Sequence, residues 1–565
     1  MEKKFVIVAG GVMSGVGKGV AAASIGKILQ EYGYKTTAIK IDPYINVDAG
    51  TLRPTEHGEV WVTSDGGEID QDLGNYERFL GQQIPKKNNI TTGQIYKTII
   101  EKERNGEFLG KTVQFIPHIP NEIKRRILDA SEDFEVTIIE VGGTVGDHEN
   151  IPFLFAIKSL EREFGEGNFV YILLTYLPIP SHINEMKTKP TQTAIHLLTE
   201  SGIFPDIILC RAKEPLDDVR KEKIETAANI KKDFVISAPD IKKTIYSIPL
   251  NFEKEDLGMK ILSKLSLKPL KIPDWTKWRN LVDNIENPKK EIKIAIVGKY
   301  LDIGDYTLKD SYISINEALT HAAAHFSVNL DIDWIDAKTF EKHPETIEIL
   351  NKYKGIIVPG GFGESGVEGK MMAIKFAREH NISYLGLCYG LQLAIVEFAR
   401  NVCNMENAHT TEVISDTKFP VIDIMESQKE IKQKGGTMRL GSYACVLKTN
   451  TKIFDLYQKL GRIEQDKTHL KDLTIERLGN IKDGFIITEK HRHRYEVNPK
   501  FIKDLENNGL VFSGFHERND GTKLMEFIEL PDHKFFIGTQ AHPEFTSSLL
   551  NPSPLFYGFV EACLD

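Results

Sequence analysis

The amino-acid sequence predicts an α/β protein with two doubly wound domains. Its 565 residues exceed the roughly 150 residues of a typical domain. Short, uncharged, β-branched runs, which are typical of parallel strands covered on both faces, alternate with helical patterns along most of the chain. An aperiodic stretch marked by prolines interrupts this alternation once, and the alternation then restarts. We therefore expect a first domain over residues 1–270, a linker over 271–290 and a second domain over 291–565.

The predicted elements follow the chain in a regular order. The first domain opens with the buried strand KFVIVAGG from Lys4, a helix from about Gly19 to Gly33 and the strand KTTAIKI from Lys35. Its later strands are EVTIIEVGG from Glu135, NFVYILLTYL from Asn168, DIILCR from Asp206 and DFVISA from Asp233. In the second domain we expect the strand EIKIAIVGKY, a helix from about Asp310 to His325, and the strands VNLDIDW, GIIVPGG and SYLGL.

Composition excludes several classes of protein. The chain has 71 Lys and Arg against 80 Asp and Glu, a net charge of −9, whereas proteins that hold nucleic acid through its phosphates are basic. Five cysteines without a CxxC pair argue against a disulfide framework or a structural zinc site and fit a reducing compartment. The longest apolar run, Phe169 to Pro180, is too short to span a bilayer. We expect a cytoplasmic protein that binds neither nucleic acid nor membranes.

A glycine-rich turn, GGVMSGVGKG from Gly10 to Gly19, joins the first strand to the first helix. Small residues let backbone amides approach phosphate oxygens, the helix start favours anions, and Lys18 adds a full positive charge. The P-loop pattern fails twice, because Val12 stands at its first glycine and Gly19 replaces the Ser or Thr that ligates magnesium. A tight turn without a ligand is the alternative. Such a turn gains nothing from an ammonium group, so we favour a nucleotide site.

Carboxylates elsewhere must hold the metal if Gly19 cannot. Asp72, in EIDQDLGNYERF, and Glu140, at the carboxyl end of the strand EVTIIEV, are the candidates. Ligand sites of open parallel sheets lie at the carboxyl ends of strands, and two carboxylates with phosphate oxygens and water suit Mg²⁺. For either acid taken alone, a solvated surface position is the simpler interpretation.

The second domain contains a candidate nucleophile. Gly386 to Gly390, GLCYG, lies between a strand and a helix and matches the G-x-nucleophile-x-G elbow, with Cys388 in the serine position. The helix start behind it favours the thiolate. A lone cysteine after a strand is usually inert packing, and the flanking glycines change that interpretation.

A base, an orienting acid and oxyanion donors can be found for this thiol. His542 is a candidate base, and Glu544, two residues later on an extended segment, shares its face and can orient the imidazole. The glycine turn PGGFG after GIIV and the backbone N–H of Tyr389 are candidate oxyanion donors. By itself HPE would indicate no more than a surface histidine, but with GLCYG and PGGFG it predicts cysteine-based catalysis.

At these motifs the second domain resembles the class I glutamine amidotransferases, and the whole chain resembles the CTP synthase family. The matching segments cover almost the full length. They are GGVMSGVGKG, KIDPYINVDAGT, EHGEV, DLGNYERF, NNITTG, KERNGEFLGKTVQFIPHI, EVGGTVGD, KTKPTQ, PGGFG, NMENAHTTE, GGTMRLG, HRHRYEVN and HPEFTS.

The resemblance implies that the second domain is a glutaminase. It would hydrolyse L-glutamine through a thioester on Cys388, with His542 as base, Glu544 as orienting acid, and Gly361 and Tyr389 as oxyanion hole. One Arg and one Glu suit a substrate that carries both an α-carboxylate and an α-ammonium group. The implied glutamine contacts are Gly361, Tyr389, Gly390, Leu391, Gln392, Glu412 and Arg494.

For the first domain the resemblance implies a P-loop-like synthase. ATP would phosphorylate O4 of UTP, ammonia channelled from the glutaminase would displace the phosphate to give CTP, and Asp72 and Glu140 would hold Mg²⁺. The implied ATP contacts are Gly15, Val16, Gly17, Lys18, Gly19, Val20, Lys40, Asp72, Asp240 and Ile241. The implied UTP or CTP contacts are Ser14, Asp147, His148, Glu149, Lys187, Thr188, Lys189, Pro190, Thr191, Gln192 and Lys223, partly from across a subunit interface.

The resemblance also implies regulation and assembly. GTP would act as allosteric activator, with Arg439 and Phe362 as weak candidates for its contacts, and CTP as feedback inhibitor. A homotetramer is expected, with filaments as an addition that the sequence does not exclude. Two features depart from the family: His148 replaces an apolar residue, and Gly461 to Gly484 is an insertion, most simply a surface excursion that could alter oligomer contacts or activation.

Two other functions compete with this interpretation. A glutamine-dependent ligase that amidates carboxylates of corrin precursors would share both domains, but KTKPTQ and EVGGTVGD match the uridine enzyme. A nucleotide-switch or partitioning ATPase with an inactive glutaminase-like module would have lost Cys388, His542 or Glu544, and all three are present.

Overall fold

The computed structural model describes residues 3–52, 58–298, 312–424, 438–481 and 484–565. The chain forms two compact units. The first comprises Met1–Ala49 with Ile69–Val282, and the second comprises Gly50–Glu68 with Asp283–Asp565. The short segment Gly50–Glu68 therefore belongs to the second unit, although the residues on both sides of it in sequence belong to the first.

The strands and helices of the described residues are numbered in chain order. The strands are β1 Lys4–Gly10, β2 Thr36–Asp42, β3 Trp61–Val62, β4 Glu68–Ile69, β5 Asn89–Thr91, β6 Val136–Val141, β7 Phe169–Tyr176, β8 Ile207–Ala212, β9 Val235–Pro239, β10 Lys290–Gly298, β11 Val328–Asp336, β12 Gly355–Val358, β13 Ser383–Leu387, β14 Ala408–Thr410, β15 Phe419–Ile424, β16 Arg439–Leu447, β17 Phe485–His493, β18 Tyr495–Val497, β19 Val511–Glu517, β20 Lys523–Glu529 and β21 Phe536–Thr539.

The α-helices are α1 Lys18–Glu31, α2 Asp72–Leu80, α3 Thr92–Arg104, α4 Phe115–Ala130, α5 Ile151–Phe164, α6 Lys189–Glu200, α7 Asp218–Ala228, α8 Ile248–Lys254, α9 Leu257–Lys264, α10 Thr276–Glu286, α11 Ile313–Phe326, α12 Ala337–Lys342, α13 Val367–Glu379, α14 Tyr389–Asn401, α15 Lys452–Lys459, α16 Arg462–His469, α17 Ile475–Leu478, α18 Ile502–Asn507 and α19 Pro554–Leu564. Across the described ranges, no helix combines the length and the apolar character that crossing a bilayer requires.

The first unit is built on a seven-stranded parallel sheet in the order β5-β2-β6-β1-β7-β8-β9. Strand β1 lies at its centre, and its residues from Phe5 to Gly10 are buried, which explains why KFVIVAG carries no charge after Lys4. The predicted strands of this domain and the helix after β1 are confirmed. The chain leaves β1 at the carboxyl edge of the sheet, where the glycine-rich turn lies.

The second unit contains a nine-stranded mixed sheet in the order β11-β10-β12-β13-β21-β20-β19-β16-β17. The strands from β11 to β21 in this order pair in parallel, and the pairs from β21 onward to β17 are antiparallel. The predicted α/β fold class is confirmed for both units, and the four predicted parallel strands are present as β10 to β13. Some predicted features lie outside the described residues. They are the end of the predicted strand EIKIAIVGKY at Lys299–Tyr300, the predicted helix start at Asp310, and parts of the segments EHGEV and GGTMRLG.

The region expected to be a linker contains helix α10. Trp278 on this helix is buried, its indole N–H donates a hydrogen bond to the carbonyl oxygen of Tyr246 at 2.7 Å, and its ring lies 5.8 Å from that of Phe79. The first half of the region thus packs into the first unit. In the sequence, the two tryptophans and the nearby prolines obscured the amphipathic pattern of this helix. The domain boundaries at 270 and 291 stay a prediction.

Candidate functional site

In the first unit, the glycine-rich turn after β1 leads directly into α1. Its backbone is left-handed at Gly15 and Gly17, with φ of 70° and 98°. Lys18 begins the helix, and its ammonium group donates a hydrogen bond to the carbonyl oxygen of Gly143 at 2.7 Å. Burial lowers the pKa of Lys18, against the attraction of Glu140. The turn can therefore offer phosphate the free amides at the helix start and a lysine charge.

A carboxylate occupies the space that a Ser or Thr side chain would take in this turn. A Cβ on Gly19 would lie 2.2 Å from Oδ1 of Asp72 and 2.7 Å from its Cγ. A side chain at this position would displace the Asp72 carboxylate, so glycine here lets Asp72 approach the turn. The structure thus brings together Gly19, which stands where a P-loop has its magnesium-binding Ser or Thr, and Asp72, the carboxylate suggested as a replacement for that ligand.

Three carboxylates of the first unit surround one ammonium group, that of Lys40 on β2. Its Nζ pairs with Asp72 and lies 3.1 Å from Oε1 of Glu140 and 3.7 Å from Oδ1 of Asp42. The hydroxyl of Tyr76 donates to the other oxygen of Glu140. Burial raises the pKa of both Glu140 and Asp42. Burial would lower the pKa of Lys40, but the negative charges of Asp72 and Glu140 outweigh it and raise that pKa. Carboxylates that already converge on one cation fit Mg²⁺ bound with phosphate.

The residues predicted to contact the pyrimidine nucleotide are mostly exposed. Ser14 and the run Asp147 to Glu149, whose last two residues begin a short 3₁₀ helix, are exposed at the surface. The KTKPTQ run, Lys187 to Gln192, leads into α6, and this helix packs against the glycine-rich turn, where a Cβ on Gly11 would lie 2.4 Å from that of Ala194. Within the run Thr191 is buried and Lys189 is exposed, as is Lys223 on α7.

Arg211 is a candidate nucleotide-site residue that the sequence analysis missed. Its Nε lies 2.7 Å from Oδ1 of Asp240, and its NH1 donates to the carbonyl oxygen of Val16 at 3.1 Å. Arg211 therefore ties the predicted adenine contacts, Asp240 and the partly exposed Ile241, to the glycine-rich turn. Its signal in the sequence is a charge near the carboxyl end of an otherwise apolar strand, DIILCR, where ligand sites of parallel sheets lie.

In the second unit, Cys388 lies in a strained turn between β13 and α14. Its φ of 49° and ψ of −97° fall outside the conformations that L residues adopt without strain. A Cβ on Gly390 would lie 2.1 Å from the carbonyl oxygen of Val358, so only glycine fits there. The N–H of Cys388 donates to the carbonyl oxygen of Thr539 at 2.7 Å, and Gly390 with Leu391 continues the buried first turn of α14. The free amides of this helix start can stabilise negative charge that develops next to the sulfur during a reaction.

His542 and Glu544 lie beside this thiol. Nδ1 of His542 lies 2.7 Å from Oε1 of Glu544, which leaves Nε2 available to interact with Cys388. Burial opposes the charge on His542, but the charges of Glu544 and Cys388 outweigh it and raise the pKa of His542 to about 10. An imidazolium at this position can donate a proton to a leaving group formed at the adjacent sulfur.

The predicted oxyanion donors adjoin this pair. Tyr389 is the first residue of α14, so its backbone N–H is one of the free donors at the helix start, and its hydroxyl donates to the carbonyl oxygen of Gly363 at 3.0 Å. Gly361 lies in the turn after β12, where a Cβ on the preceding Gly360 would be 2.9 Å from Cε1 of His542. The structure therefore brings the turn, the imidazole and the helix start together.

The three side chains predicted to hold glutamine are also brought together. The amide of Gln392 donates to the carbonyl oxygen of Tyr495 at 3.0 Å, whereas its buried Oε1 has no partner among the residues that the structure describes. Oε1 of Glu412 accepts the N–H of Gly363 at 2.8 Å. Burial raises the pKa of Tyr495, and the charges of Glu412 and Arg494 both act on it. An acid and an arginine this close suit a ligand with an ammonium and a carboxylate.

Arg439, a weak candidate for a GTP contact, lies inside an ion cluster instead. Its NH1 lies 3.1 Å from Oε1 of Glu496, and its NH2 lies 2.7 Å from Oε1 of Glu526. The guanidinium also packs 4.3 Å from the ring centroid of Tyr443, and the residue is 5% exposed. Arg439 is buried and already paired with Glu496 and Glu526, so its guanidinium is not accessible to a ligand at the surface. Phe362 is 66% exposed.

Most of the described residues of the insertion Gly461 to Gly484 are exposed or half-exposed, in line with the expected surface excursion, but its first helix is anchored by buried residues. Arg462 and Asp466 on α16 are buried and lie 3.4 Å apart. Asp466 also accepts the N–H of Thr488 on β17 at 2.9 Å. The insertion is therefore packed against the sheet, a contact that its polar composition concealed.

Comparison with known proteins matches each part of the chain separately. The family model for the CTP synthase N-terminus matches residues 4–267, and the model for class-I glutamine amidotransferase matches residues 307–562. A CTP synthase of Methanocaldococcus jannaschii is 48% identical over 99% of this chain and 98% of its own length. The chain belongs to the CTP synthase family.

Two further members of the CTP synthase family agree with this assignment. The protein of Thermococcus gammatolerans is 48% identical over 100% of this chain and 99% of its own length, and that of Methanococcus maripaludis is 48% identical over 100% of both. As a member of the CTP synthase family, the chain is a glutamine-hydrolysing ligase. This decides against the corrin amidoligase and the partitioning ATPase.

Replacing Gly19 with Ala is expected to weaken ATP binding about tenfold, the effect of roughly 1.4 kcal/mol, because the new Cβ displaces the Asp72 carboxylate. Titration with a fluorescent ATP analogue in the presence of Mg²⁺ would measure this. Gly167→Ala is the matched control, since a Cβ there meets nothing within 4 Å. Equal affinity in the Gly19→Ala and unmodified proteins would contradict the importance of the close approach.

Replacing Arg439 with Met is expected to destabilise the second unit by about 3 kcal/mol, because the buried Glu496 and Glu526 lose the guanidinium that binds them. Calorimetry would record a lower melting temperature for the corresponding transition. Adding Glu496→Gln and Glu526→Gln removes the two unpaired acids and should restore part of the loss. A single variant that melts like the unmodified protein would refute this account of the cluster.

Proposed function

We propose that the chain converts UTP into CTP with ATP and with nitrogen from L-glutamine, a step of pyrimidine nucleotide biosynthesis. The observation that carries this proposal is that one polypeptide combines a Cys388–His542–Glu544 centre with a phosphate-binding turn bordered by carboxylates. Membership of the CTP synthase family supports the same overall reaction.

Glutamine hydrolysis would proceed through Cys388. Its thiolate attacks the side-chain amide carbon, and the N–H groups of Gly361 and Tyr389 stabilise the oxyanion. The imidazolium of His542 gives its proton to the leaving nitrogen, so that ammonia departs and a thioester remains. His542 then takes a proton from water as the water attacks the thioester, which releases glutamate and the thiol. Glu544 keeps the imidazole oriented throughout.

Charged side chains would select glutamine at this centre. Arg494 binds the α-carboxylate and Glu412 the α-ammonium group, as charge-assisted hydrogen bonds that fix the amide over the thiol. The buried Oε1 of Gln392, which has no partner among the described residues, can accept an N–H of the substrate. The backbone of Gly390 and Leu391 supplies the remaining contacts to the bound glutamine.

The first unit would phosphorylate UTP and then aminate it. O4 of the uracil attacks the γ-phosphorus of ATP and ADP leaves; ammonia then attacks C4 and displaces phosphate. Backbone amides from Gly15 to Val20 cradle the phosphates of ATP, and Lys18 and Lys40 stabilise charge on the transferring group. Asp240 and Ile241 contact adenine. The pyrimidine nucleotide contacts are Ser14, Asp147 to Glu149, Lys187 to Gln192 and Lys223.

Asp72 and Glu140 would hold Mg²⁺ in the first unit. Among the described residues, no three acidic, histidine or cysteine side chains are arranged to hold a metal ion by themselves, so phosphate oxygens and water would complete the coordination. When bound, the ion neutralises charge on the phosphates. Lys40, which these carboxylates hold before ATP binds, is then free to turn toward the phosphoryl group.

The family resemblance supports further proposals about transfer, regulation and assembly. Ammonia passes from the glutaminase to the synthase site without release, because ammonia in neutral water is mostly protonated and no longer nucleophilic. GTP activates the enzyme and CTP inhibits it. The enzyme works in the cytoplasm as a homotetramer.

Replacing Cys388 with Ala is expected to abolish CTP formation from glutamine, because the thioester cannot form, while ammonia still supports CTP formation. The assay follows UTP conversion with ATP, Mg²⁺ and either nitrogen source. Cys403→Ala, which removes a partly buried free thiol of the same unit, should keep both activities. Loss of the ammonia-dependent reaction in Cys388→Ala would contradict the division into two sites.

Replacing Glu544 with Gln is expected to lower glutamine hydrolysis at least about tenfold and to change its pH profile. The carboxylate favours the imidazolium, so its removal lowers the pKa of His542 from about 10. The alkaline limb of kcat/KM, where the imidazolium is lost, should therefore move to lower pH. Glu561→Gln, at an exposed ion pair with Lys459, is the control, and an unmoved alkaline limb in Glu544→Gln would disprove the assignment.

A further inference from the structure

The segment Gly50–Glu68 reaches the glutamine-hydrolysing centre of the second unit through Trp61. The indole of Trp61 is 1% exposed, and its centroid lies 4.9 Å from that of Phe545. The Phe545 ring in turn stacks on the imidazole of His542, with centroids 5.3 Å apart and an interplanar angle of 18°. Trp61 therefore supports one face of the imidazole through a single intervening ring.

A second contact of Trp61 leads to the same histidine. Nζ of the buried Lys490 lies 4.6 Å from the centroid of the indole. The carbonyl oxygen of Lys490 accepts the backbone N–H of His542 at 2.8 Å. The indole thus contacts two of the residues that hold His542: Phe545 packs on its ring, and Lys490 binds its backbone.

The insertion fastens the turn that follows Trp61. NH1 and NH2 of Arg477 donate to the carbonyl oxygens of Ser64 at 2.9 Å and of Asp65 at 3.0 Å. The carbonyl oxygen of Ser64 also accepts the N–H of Ser442 on β16 at 2.8 Å. The position of the indole is therefore set by the second unit's own sheet and by a residue of the insertion.

Two acids of the segment, Glu59 just before Trp61 and Glu68 at its end, are also attached to other residues of the second unit. Oε2 of Glu59 accepts the N–H of Ser314 at the start of α11 at 2.8 Å. Glu68, buried, lies with Oε1 2.9 Å from Nε of Arg492. The carbonyl oxygen of Arg492 lies 4.0 Å from Sγ of Cys388, so a single residue separates the segment from the thiol, as Phe545 separates it from the imidazole.

We propose that Trp61 is a positioning residue for glutamine hydrolysis: its indole holds Phe545 and Lys490 and through them orients the imidazole of His542, and Arg477 of the insertion fastens it there. The proposal rests on the function assigned above to Cys388 and His542. A base must deliver its proton within a narrow range of angles, so residues that lock its rotamer act on the rate although they touch no substrate.

Replacing Trp61 with Leu is expected to lower kcat for glutamine hydrolysis about tenfold or more, with KM within about twofold, because a tilted imidazole misplaces the proton and leaves glutamine binding intact. Trp61→Phe keeps an aromatic ring against Phe545 and Lys490 and should stay within about threefold of the unmodified enzyme. Steady-state rates of glutamate release measure both. CTP formation from free ammonia, which bypasses the thiol, should stay within about twofold in each variant.

Trp334→Leu is the matched control, since Trp334 belongs to the same unit and stacks on Tyr312 at 5.2 Å; it should keep kcat. The assignment is overturned if Trp61→Leu keeps kcat or changes only KM. It is also overturned if ammonia-dependent synthesis falls equally, because Trp61 would then serve folding alone. Absence of glutamine hydrolysis in the unmodified enzyme would refute the function proposed above, and this assignment with it.

Arg477→Leu tests the part played by the insertion. Loss of both hydrogen bonds should lower kcat for glutamine hydrolysis about threefold without affecting the ammonia-dependent rate, and Arg477→Lys, which keeps one donor, should restore part of it. An unchanged kcat in Arg477→Leu would separate the insertion from the catalytic centre and overturn this half of the proposal.

Discussion

Both candidate sites depend on one constraint, the close approach of backbone that glycine permits where a parallel strand turns into a helix. At Gly19 the missing side chain admits the Asp72 carboxylate, and at Gly390 it admits the carbonyl oxygen of Val358. Each turn leaves free amides at the start of a helix, next to the carboxyl ends of parallel strands. The same arrangement can therefore serve two kinds of anion, phosphate in the first unit, and a thiolate with its oxyanion in the second.

Charge is already arranged around these turns before a substrate binds. Lys40 lies among three carboxylates in the first unit, and Glu544 favours the imidazolium of His542 in the second. Each of these buried charged groups needs an oppositely charged partner, since burying a charge without one costs a large amount of free energy. Their mutual dependence fixes their positions, and charges held in fixed positions stabilise a transition state without rearranging during the reaction.

The second unit extends beyond the stretch of sequence that contains its motifs. Residues Gly50–Glu68 belong to it, and they border its thiol through Arg492 and its base through Phe545 and Lys490. The insertion, which looked like a polar excursion, holds this segment through Arg477. The catalytic centre thus draws on parts of the chain that are far apart in sequence, and neither Trp61 nor Arg477 belongs to a motif that pointed to catalysis.

The sequence by itself predicted the α/β class, the strands of the parallel sheets, the two turns and the residues Lys18, Cys388 and His542. These features follow from local patterns: the period of apolar residues, glycine spacing, and the order of strand, turn and helix. Only the tertiary structure showed that Asp72 lies against Gly19 and that Arg211 binds Val16. It also showed that Arg439 is buried, that Trp278 of α10 packs into the first unit, and that Trp61 contacts Phe545. Those contacts join residues far apart in the chain, and they depend on how side chains fill space once the sheets have formed, which no local pattern records.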